Sequence, residues 1–134
     1  MTTIQAQTLR AANEAESLHP TRIPNAVVWT LQALAAVLFL LAGTSKLAGI
    51  PAQVQLFGVI GIGQWFRYVT GTIEVVGAVL LFVPSLARFA ALALAATMVG
   101  AIITHLFIVG GNPAMAIVLL AATTTIAWVK RSSR

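Results

Sequence analysis

The chain has 134 residues, of which 59% are hydrophobic and 8% are charged, and its formal net charge is +5. Soluble domains average about 25% charged residues, so this composition excludes an ordinary soluble domain and predicts a single integral membrane domain. The isoelectric point near 11.4 does not indicate a nucleic-acid partner, because most basic residues flank apolar stretches and can orient a membrane chain. The absence of cysteine excludes disulfides, thiol redox chemistry and thiolate metal ligands.

Residues 1–22 form a polar tail that we expect to be flexible or to form a short surface helix. A cleavable signal peptide begins with a basic segment followed directly by an apolar core, so we do not expect one here. A four-span membrane domain is predicted over residues 23–130, and residues 131–134 are predicted to form a basic cytoplasmic tail.

The first predicted span runs from about Pro24 to Gly49. Proline suits a first helical turn, and Gly49 followed by Pro51 is a typical helix stop. The segment after it, IPAQVQLFGVIGIGQWFR, is the only long connection between spans. Its large apolar residues predict a segment that lies in the membrane interface or folds back over the bundle. These residues are Leu56, Phe57, Trp65 and Phe66. Its glycines allow tight turns and do not indicate dinucleotide binding, because no strand precedes them.

Prolines, glycines and capping residues delimit three further spans. They are predicted from about Phe66 to Val83, from Ser85 to about Val109, and from Asn112 to near Trp128. Pro84 ends the second span, and the pair Gly110–Gly111 ends the third. Ser85 and Asn112 have side chains typical of helix N-caps. Because short connections favour antiparallel neighbours, the predicted fold class is an all-α, four-helix transmembrane bundle.

Basic residues are distributed unevenly over the two sides of this bundle. An even number of spans places both termini on one side. Six of the eight lysines and arginines are on that side: Arg10, Arg22, Arg88, Lys130, Arg131 and Arg134. The opposite side has Lys46 and Arg67. Because positive charge accumulates on the cytoplasmic side, we expect a multi-pass protein of the inner (plasma) membrane with both termini in the cytoplasm.

Glu74 is the one acidic residue after Glu16, and it lies within an apolar span. From the helical rise it is about 9 Å below the outer end of that span. His105, Lys46 and Arg67 come close to the same outer side. Ionisable groups inside a membrane are costly unless paired and are usually functional. We therefore predict a polar pocket near the outer leaflet, in which Lys46, Glu74, His105 and Arg67 bind a ligand or handle protons.

Small and polar residues recur at helical spacing near these four side chains. Such stripes let helices approach closely in a membrane. The predicted supporting residues of the pocket are Gln32, Gly43, Trp65, Thr70, Gly71 and Thr104. No catalytic residue is assigned, and whether the protein is an enzyme stays open.

A purely structural interpretation also fits this cluster. Lys46 can extend to the lipid headgroups, and Arg67 can anchor its helix at the interface. Glu74, paired with either cation, can act as a structural clasp. His105 can donate to the carboxylate or bond only a backbone carbonyl. A zinc site is not expected, because it needs three or four ligands and the pocket has only His105 and Glu74.

Three segments of the chain carry a family resemblance: GTSKLAG, LFGVIGIGQWFRYVTGTIEVVGAVLLFVP and MVGAIITHLFIVGGNPAMAIVLL. They resemble the DoxX-like family of small bacterial membrane proteins. The resemblance covers about Trp29 to Trp128 and implies a four-helix membrane bundle. Relatives in that family include a quinone-linked thiosulfate-oxidising subunit, and distant kin assist membrane-protein assembly or trafficking. No established set of catalytic residues carries over.

Two functions are consistent with these residues. In the first, the pocket binds a small lipophilic molecule, with quinone as the candidate cofactor, and the protein is the membrane subunit of a redox system whose partner supplies electrons. In the second, the protein is a non-enzymatic accessory or assembly subunit for another membrane protein. Proton or solute transport ranks last, because the inner half of the bundle has few polar groups. Membrane lipid is an expected partner, and a homo-oligomer stays open.

Overall fold

The computed structural model describes residues 2–17 and 23–132, and within them all regular structure is helical. This confirms the all-α prediction. The six α-helices are α1 (Thr3–Ser17), α2 (Asn25–Ala48), α3 (Pro51–Ile60), α4 (Gln64–Leu80), α5 (Ala87–Thr104) and α6 (Ala114–Ser132). A π-helical turn, His105–Val109, directly continues α5. Arg22 and Arg134, which contributed to the predicted orientation, lie outside the described residues.

Three segments in the described part of the chain are long and apolar enough to cross a membrane: Asn25–Ala48, Ala87–Val109 and Ala114–Arg131. The predicted second span is shorter than expected, since α4 has 17 residues and ends at Leu80 instead of Val83. Pro84 explains the early end, because a proline disfavours helical geometry in the preceding residue and has no N–H to donate.

The ends of the other helices agree with the predicted signals only in part. Gly49 ends α2 in the left-handed conformation (φ 70°), which glycine adopts without strain. The Asn112 side chain accepts a hydrogen bond from the Ala114 N–H at the start of α6 (2.9 Å). The Ser85 cap was wrong, because Leu86 occupies the N-cap position of α5 without a side-chain hydrogen bond. Helix α6 also continues past Trp128 to include two basic residues, which a helix C-terminus favours.

The long helices pack in sequence around one core. Helix α2 packs on α4, α4 on α5, α5 on α6, and α6 returns to α2. Seven of the thirteen residues in the buried core are alanines, which lets the helix axes approach closely. Helix α3 lies against α2, α4 and the π turn, whereas no residue of α1 is buried.

Large apolar side chains cover the outer surface of these helices. Leu41, Phe89, Val118 and many similar residues are more than half exposed. An apolar exterior over small residues is typical of helices that face lipid, since large exposed apolar patches are rare on soluble proteins. The packing therefore agrees with the composition in indicating a membrane protein.

Helices α2 and α4 touch through two glycines. A Cβ atom on Gly43 would lie 2.8 Å from the Gly71 carbonyl oxygen and 2.7 Å from Val75 Cγ2. A Cβ atom on Gly71 would lie 3.0 Å from the Gly43 carbonyl oxygen. Because the obstructing atoms include backbone on both sides, the two helices would have to separate to accept any side chain here.

We predict that Gly43→Ala lowers the free energy of unfolding by about 1–3 kcal/mol, the usual cost of overpacking a tight contact. Gly100→Ala is the matched control, because a Cβ atom at Gly100 in α5 meets nothing within 4 Å. The control should unfold at the same temperature as the parent or higher, since alanine favours helix over glycine by about 1 kcal/mol. Thermal unfolding in detergent measures both, and equal behaviour of the two variants would contradict the close approach.

Candidate functional site

An ion pair connects α2 to α4 across the glycine contact. The Lys46 amine donates to both carboxylate oxygens of Glu74, at 2.9 Å and 3.2 Å. The Glu74 side chain is 2% exposed and the Lys46 side chain 13%. Because the helices are antiparallel, Lys46 and Glu74 lie on opposite sides of the glycine contact, and each packs against the glycine of the other helix. A Cβ atom on Gly43 would lie 3.1 Å from Glu74 Cβ, and one on Gly71 would lie 3.1 Å from Lys46 Cβ. The close approach lets the long lysine side chain reach across to the carboxylate. The pairing reduces the cost of holding either charge within an apolar helix layer.

Arg67 lies near the start of α4, at one end of the same helix pair, and is 5% exposed. Its guanidinium donates to the Lys46 backbone carbonyl and to Gln64 Oε1, the latter at 2.8 Å. It also lies over the Tyr68 ring, 4.4 Å from the centroid. The Lys46 carbonyl, in the last turn of α2, also accepts the Gly49 backbone N–H (3.2 Å), so Arg67 adds a second donor at this helix end. It supports the backbone of Lys46 and does not pair with Glu74.

Gln32 makes the equivalent contact at the opposite end of the pair. Its side-chain amide donates to the Leu81 carbonyl, just after α4, at 2.7 Å. Gln32 is fully buried, and its Oε1 has no hydrogen-bond partner in the described part of the chain. Gln32 and Lys46 are fourteen positions apart in α2. Their partners, Leu81 and Arg67, are also fourteen positions apart, in and directly after α4. The two helices are therefore antiparallel and in register over this whole length.

A cavity of about 710 Å³ lies beside the ion pair. Helices α2 to α6 and the π turn all contribute to its wall, which is mostly apolar. Its polar side chains are Lys46, Gln53, Thr70, Glu74, Thr97, Thr104 and His105. A mostly apolar cleft or cavity with a few polar groups is the usual form of a small-molecule site, and this volume is within the usual range for one.

His105 begins the π turn and lines this cavity. Its Nδ1 lies 2.8 Å from the carbonyl oxygen of Ala101, one turn earlier. A carbonyl oxygen only accepts, so Nδ1 carries the hydrogen in this bond. In the described structure no hydrogen bond connects His105 to Glu74. Single π turns in α-helices are frequent at functional sites, and here the turn gives the end of α5 a different register.

The structure brings half of the ten predicted pocket residues to the cavity wall. These are Lys46, Thr70, Glu74, Thr104 and His105. Four others, Gln32, Gly43, Arg67 and Gly71, are buried where α2 meets α4. Trp65 does not line the cavity and is 59% exposed, with its indole N–H donating to the Ile62 carbonyl (3.0 Å). Residues that line the cavity and residues that are buried between α2 and α4 alternate on the same helical faces. The centre of each face contacts the other helix, and the edge of the face borders the cavity.

Helix α3 provides a part of the wall that the sequence analysis did not assign to the pocket. Gln53, Leu56, Phe57 and Ile60 all line the cavity. The Phe57 ring meets the Phe66 ring edge to face at 5.8 Å, which holds α3 against α4. These four residues follow the i, i+3, i+4, i+7 spacing of one helical face. This spacing in the sequence could have predicted that α3 presents these four residues on one side.

Within residues 2–17 and 23–132, no three histidine, aspartate or glutamate side chains come together as metal ligands. The chemistry of the site therefore consists of one ion pair, one imidazole, one amide and three hydroxyls around an apolar space.

This fold and site define an all-helical membrane protein with a buried ion pair beside a mostly apolar cavity. The sequence model of the DoxX-like family matches residues 30–129. The chain belongs to the DoxX-like family, as the resemblance of its motifs predicted.

One curated relative is a Bacillus subtilis (strain 168) protein named "Putative oxidoreductase CatD", which is 36% identical over 74 residues. The match covers 55% of this chain and 55% of that protein, so the chain spans about half the length of the curated relative it matches. No solved structure matches the chain.

We predict that Lys46 and Glu74 are strongly coupled in stability. Replacing either residue alone by methionine leaves an unpaired buried charge and should lower the free energy of unfolding by about 3–5 kcal/mol. The double variant Lys46→Met/Glu74→Met should recover most of this loss, because it removes both charges. Detergent titration of the four proteins measures the coupling. Losses that simply add in the double variant would show that the pair does not hold the helices together.

Proposed function

We propose that the chain is a four-span protein of the inner (plasma) membrane with both termini in the cytoplasm. In addition to the three long apolar helices, α4 crosses the membrane as the second span in chain order, although its 17 residues extend only about 26 Å. Its support is the register with α2, since the polar contacts at both ends keep α4 beside a helix that is long enough to cross. The excess of basic residues on the side of the termini supports the orientation.

We further propose that the cavity binds a small lipophilic molecule of the quinone class. The observation that carries this proposal is the combination of a mostly apolar wall with the Lys46–Glu74 pair and His105 at one cavity. Apolar walls accommodate a ring and its tail, and the few polar groups orient a head group. A ligand of this kind reaches the cavity from the membrane.

In this proposal the protein acts as the membrane subunit of a redox system. The name of the Bacillus subtilis relative, an oxidoreductase, supports this class of function. The sequence has no cysteine, and three acidic residues in all, so its own side chains do not form an electron-transfer centre. Electrons would therefore pass between the bound ligand and a partner protein.

One observation favours the alternative of a non-enzymatic accessory or assembly subunit. Lys46 already bonds both oxygens of Glu74, as expected for a structural clasp. The large apolar side chains on the outer surface could then pack against another membrane protein. Co-purification with one such protein, whose activity is lost when this chain is deleted, would support the alternative over ligand binding.

The proposed topology can be tested with single cysteines, because the natural chain has none. Ala12→Cys, Gln55→Cys and Ser85→Cys place a thiol at exposed sites in α1, in α3 and in the α4–α5 connection. In intact spheroplasts a membrane-impermeant maleimide should label residue 55 alone, and residues 12 and 85 only after permeabilisation. Labelling of 55 and 85 from the same side would show that α4 does not cross the membrane.

We predict that the purified full chain binds a decyl-benzoquinone or its hydroquinone, and that Glu74→Gln and His105→Ala each weaken the tighter of these two interactions at least about tenfold, as expected when a buried polar contact is lost. Glu14→Gln is the matched control, because it makes the same chemical change in exposed helix α1. Calorimetric titration in detergent measures the affinities. Affinities unchanged in both cavity variants would contradict binding at this site.

A further inference from the structure

The polar groups of the cavity wall are mostly hydrogen-bond acceptors. His105 is one of them. Its Nδ1 hydrogen is directed to the Ala101 carbonyl, so the neutral ring has only the Nε2 lone pair left for a ligand. Nε2 has no hydrogen-bond partner in the described structure, whose bonds at this ring involve Nδ1 alone. The imidazole can therefore receive a hydrogen bond from a ligand but cannot donate one without gaining a proton.

The three hydroxyl groups on the wall can likewise accept a hydrogen bond from a ligand but have no hydrogen left to donate. Thr70 donates to the Phe66 carbonyl at 3.0 Å, Thr97 to the Ala93 carbonyl at 3.0 Å, and Thr104 to the Gly100 carbonyl at 2.8 Å. Each bond uses the single hydroxyl hydrogen on the backbone of its own helix, as threonines in apolar helices commonly do. Only oxygen lone pairs are then left for a molecule in the cavity.

Two further side chains complete the wall. Gln53 has a buried Oε1 with no hydrogen-bond partner in the described residues, and an unsatisfied buried acceptor is costly. Lys46 directs its amine at both oxygens of Glu74, which leaves one of its three N–H groups. The ion pair is neutral as a whole, so it balances no ligand charge. The two amide N–H groups of Gln53 are also left on this wall, so the remaining donors are three N–H groups. The remaining acceptors outnumber them, since His105, Gln53, Glu74 and the three threonines all have lone pairs directed to no donor or only partly used.

We infer that the cavity selects the hydroxyl-bearing, reduced form of a lipophilic aromatic molecule, a hydroquinone, over the corresponding quinone. The hydroquinone O–H groups donate to acceptors such as His105 Nε2 and Gln53 Oε1, and a hydroxyl oxygen accepts the remaining Lys46 N–H. A quinone has only carbonyl oxygens and would leave these acceptors unsatisfied. A fatty-acid carboxylate would do the same and would add an unbalanced charge. This inference rests on the proposed ligand site and defines the redox state of its ligand.

The test compares three ligands of nearly equal shape on the purified full chain under nitrogen: a decyl-benzoquinone, its hydroquinone, and the dimethyl ether of that hydroquinone. The ether keeps the ring, tail and oxygen positions but has no donor. Calorimetric titration should give a hydroquinone affinity roughly tenfold above the affinities of the other two ligands. A tenfold difference is what one hydrogen bond to a buried acceptor typically contributes to binding.

Variants of His105 identify the acceptor. His105→Leu removes it and should bring hydroquinone affinity down to that of the ether, with ether and quinone affinities little changed. His105→Gln keeps an acceptor oxygen and should retain part of the preference. Phe107→Leu is the control, because Phe107 is in the same π turn but is 80% exposed and absent from the cavity wall.

The outcomes separate this inference from the proposed function. Equal binding of the three ligands, tighter quinone binding, or a preference that survives in both His105 variants would overturn the inference and leave the ligand site in place. If no ligand binds the parent protein, the proposed function falls together with the inference.

Discussion

The backbone contact between α2 and α4 at Gly43 and Gly71 is the constraint on which the site depends. Because no side chain separates the helices there, Glu74 packs on Gly43 and Lys46 packs on Gly71, and the lysine amine reaches the carboxylate across the contact. The end contacts of Arg67 and Gln32 keep the same antiparallel register over fourteen residues. A shift of either helix would leave Glu74 against apolar side chains, where an unpaired charge is costly.

The polar cluster can stabilise the helix packing and also contact a ligand, because the same side chains face both the neighbouring helix and the cavity. The Lys46–Glu74 pair joins α2 to α4 and also lines the cavity, so the bond that connects the two helices places polar atoms on the cavity wall. Arg67 belongs to the structural part alone, since its donors are directed to a backbone carbonyl and to Gln64. A change at Arg67 would therefore act on the cavity only through the position of Lys46.

The acceptor character of the cavity follows from ordinary helix chemistry. Threonine and histidine side chains in an apolar helix have no water to bond, so they donate to carbonyl oxygens one turn earlier. Here this occurs at Thr70, Thr97, Thr104 and His105, on two helices and the start of the π turn. The lone pairs that remain make these four side chains hydrogen-bond acceptors toward the cavity, which residue types alone do not reveal.

The sequence by itself determined the membrane class, the all-helical structure and some of the helix ends, because composition, periodicity, glycine and proline act locally. It also identified Lys46, Glu74 and His105 as the informative residues, since ionisable groups are rare in apolar spans. Only the tertiary structure decided that Arg67 and Gln32 serve the α2–α4 contact and that α3 completes the cavity wall. The physical reason is that periodicity assigns residues to a helical face, whereas the direction of each side chain within that face, toward a neighbouring helix or toward open space, depends on how the helices pack.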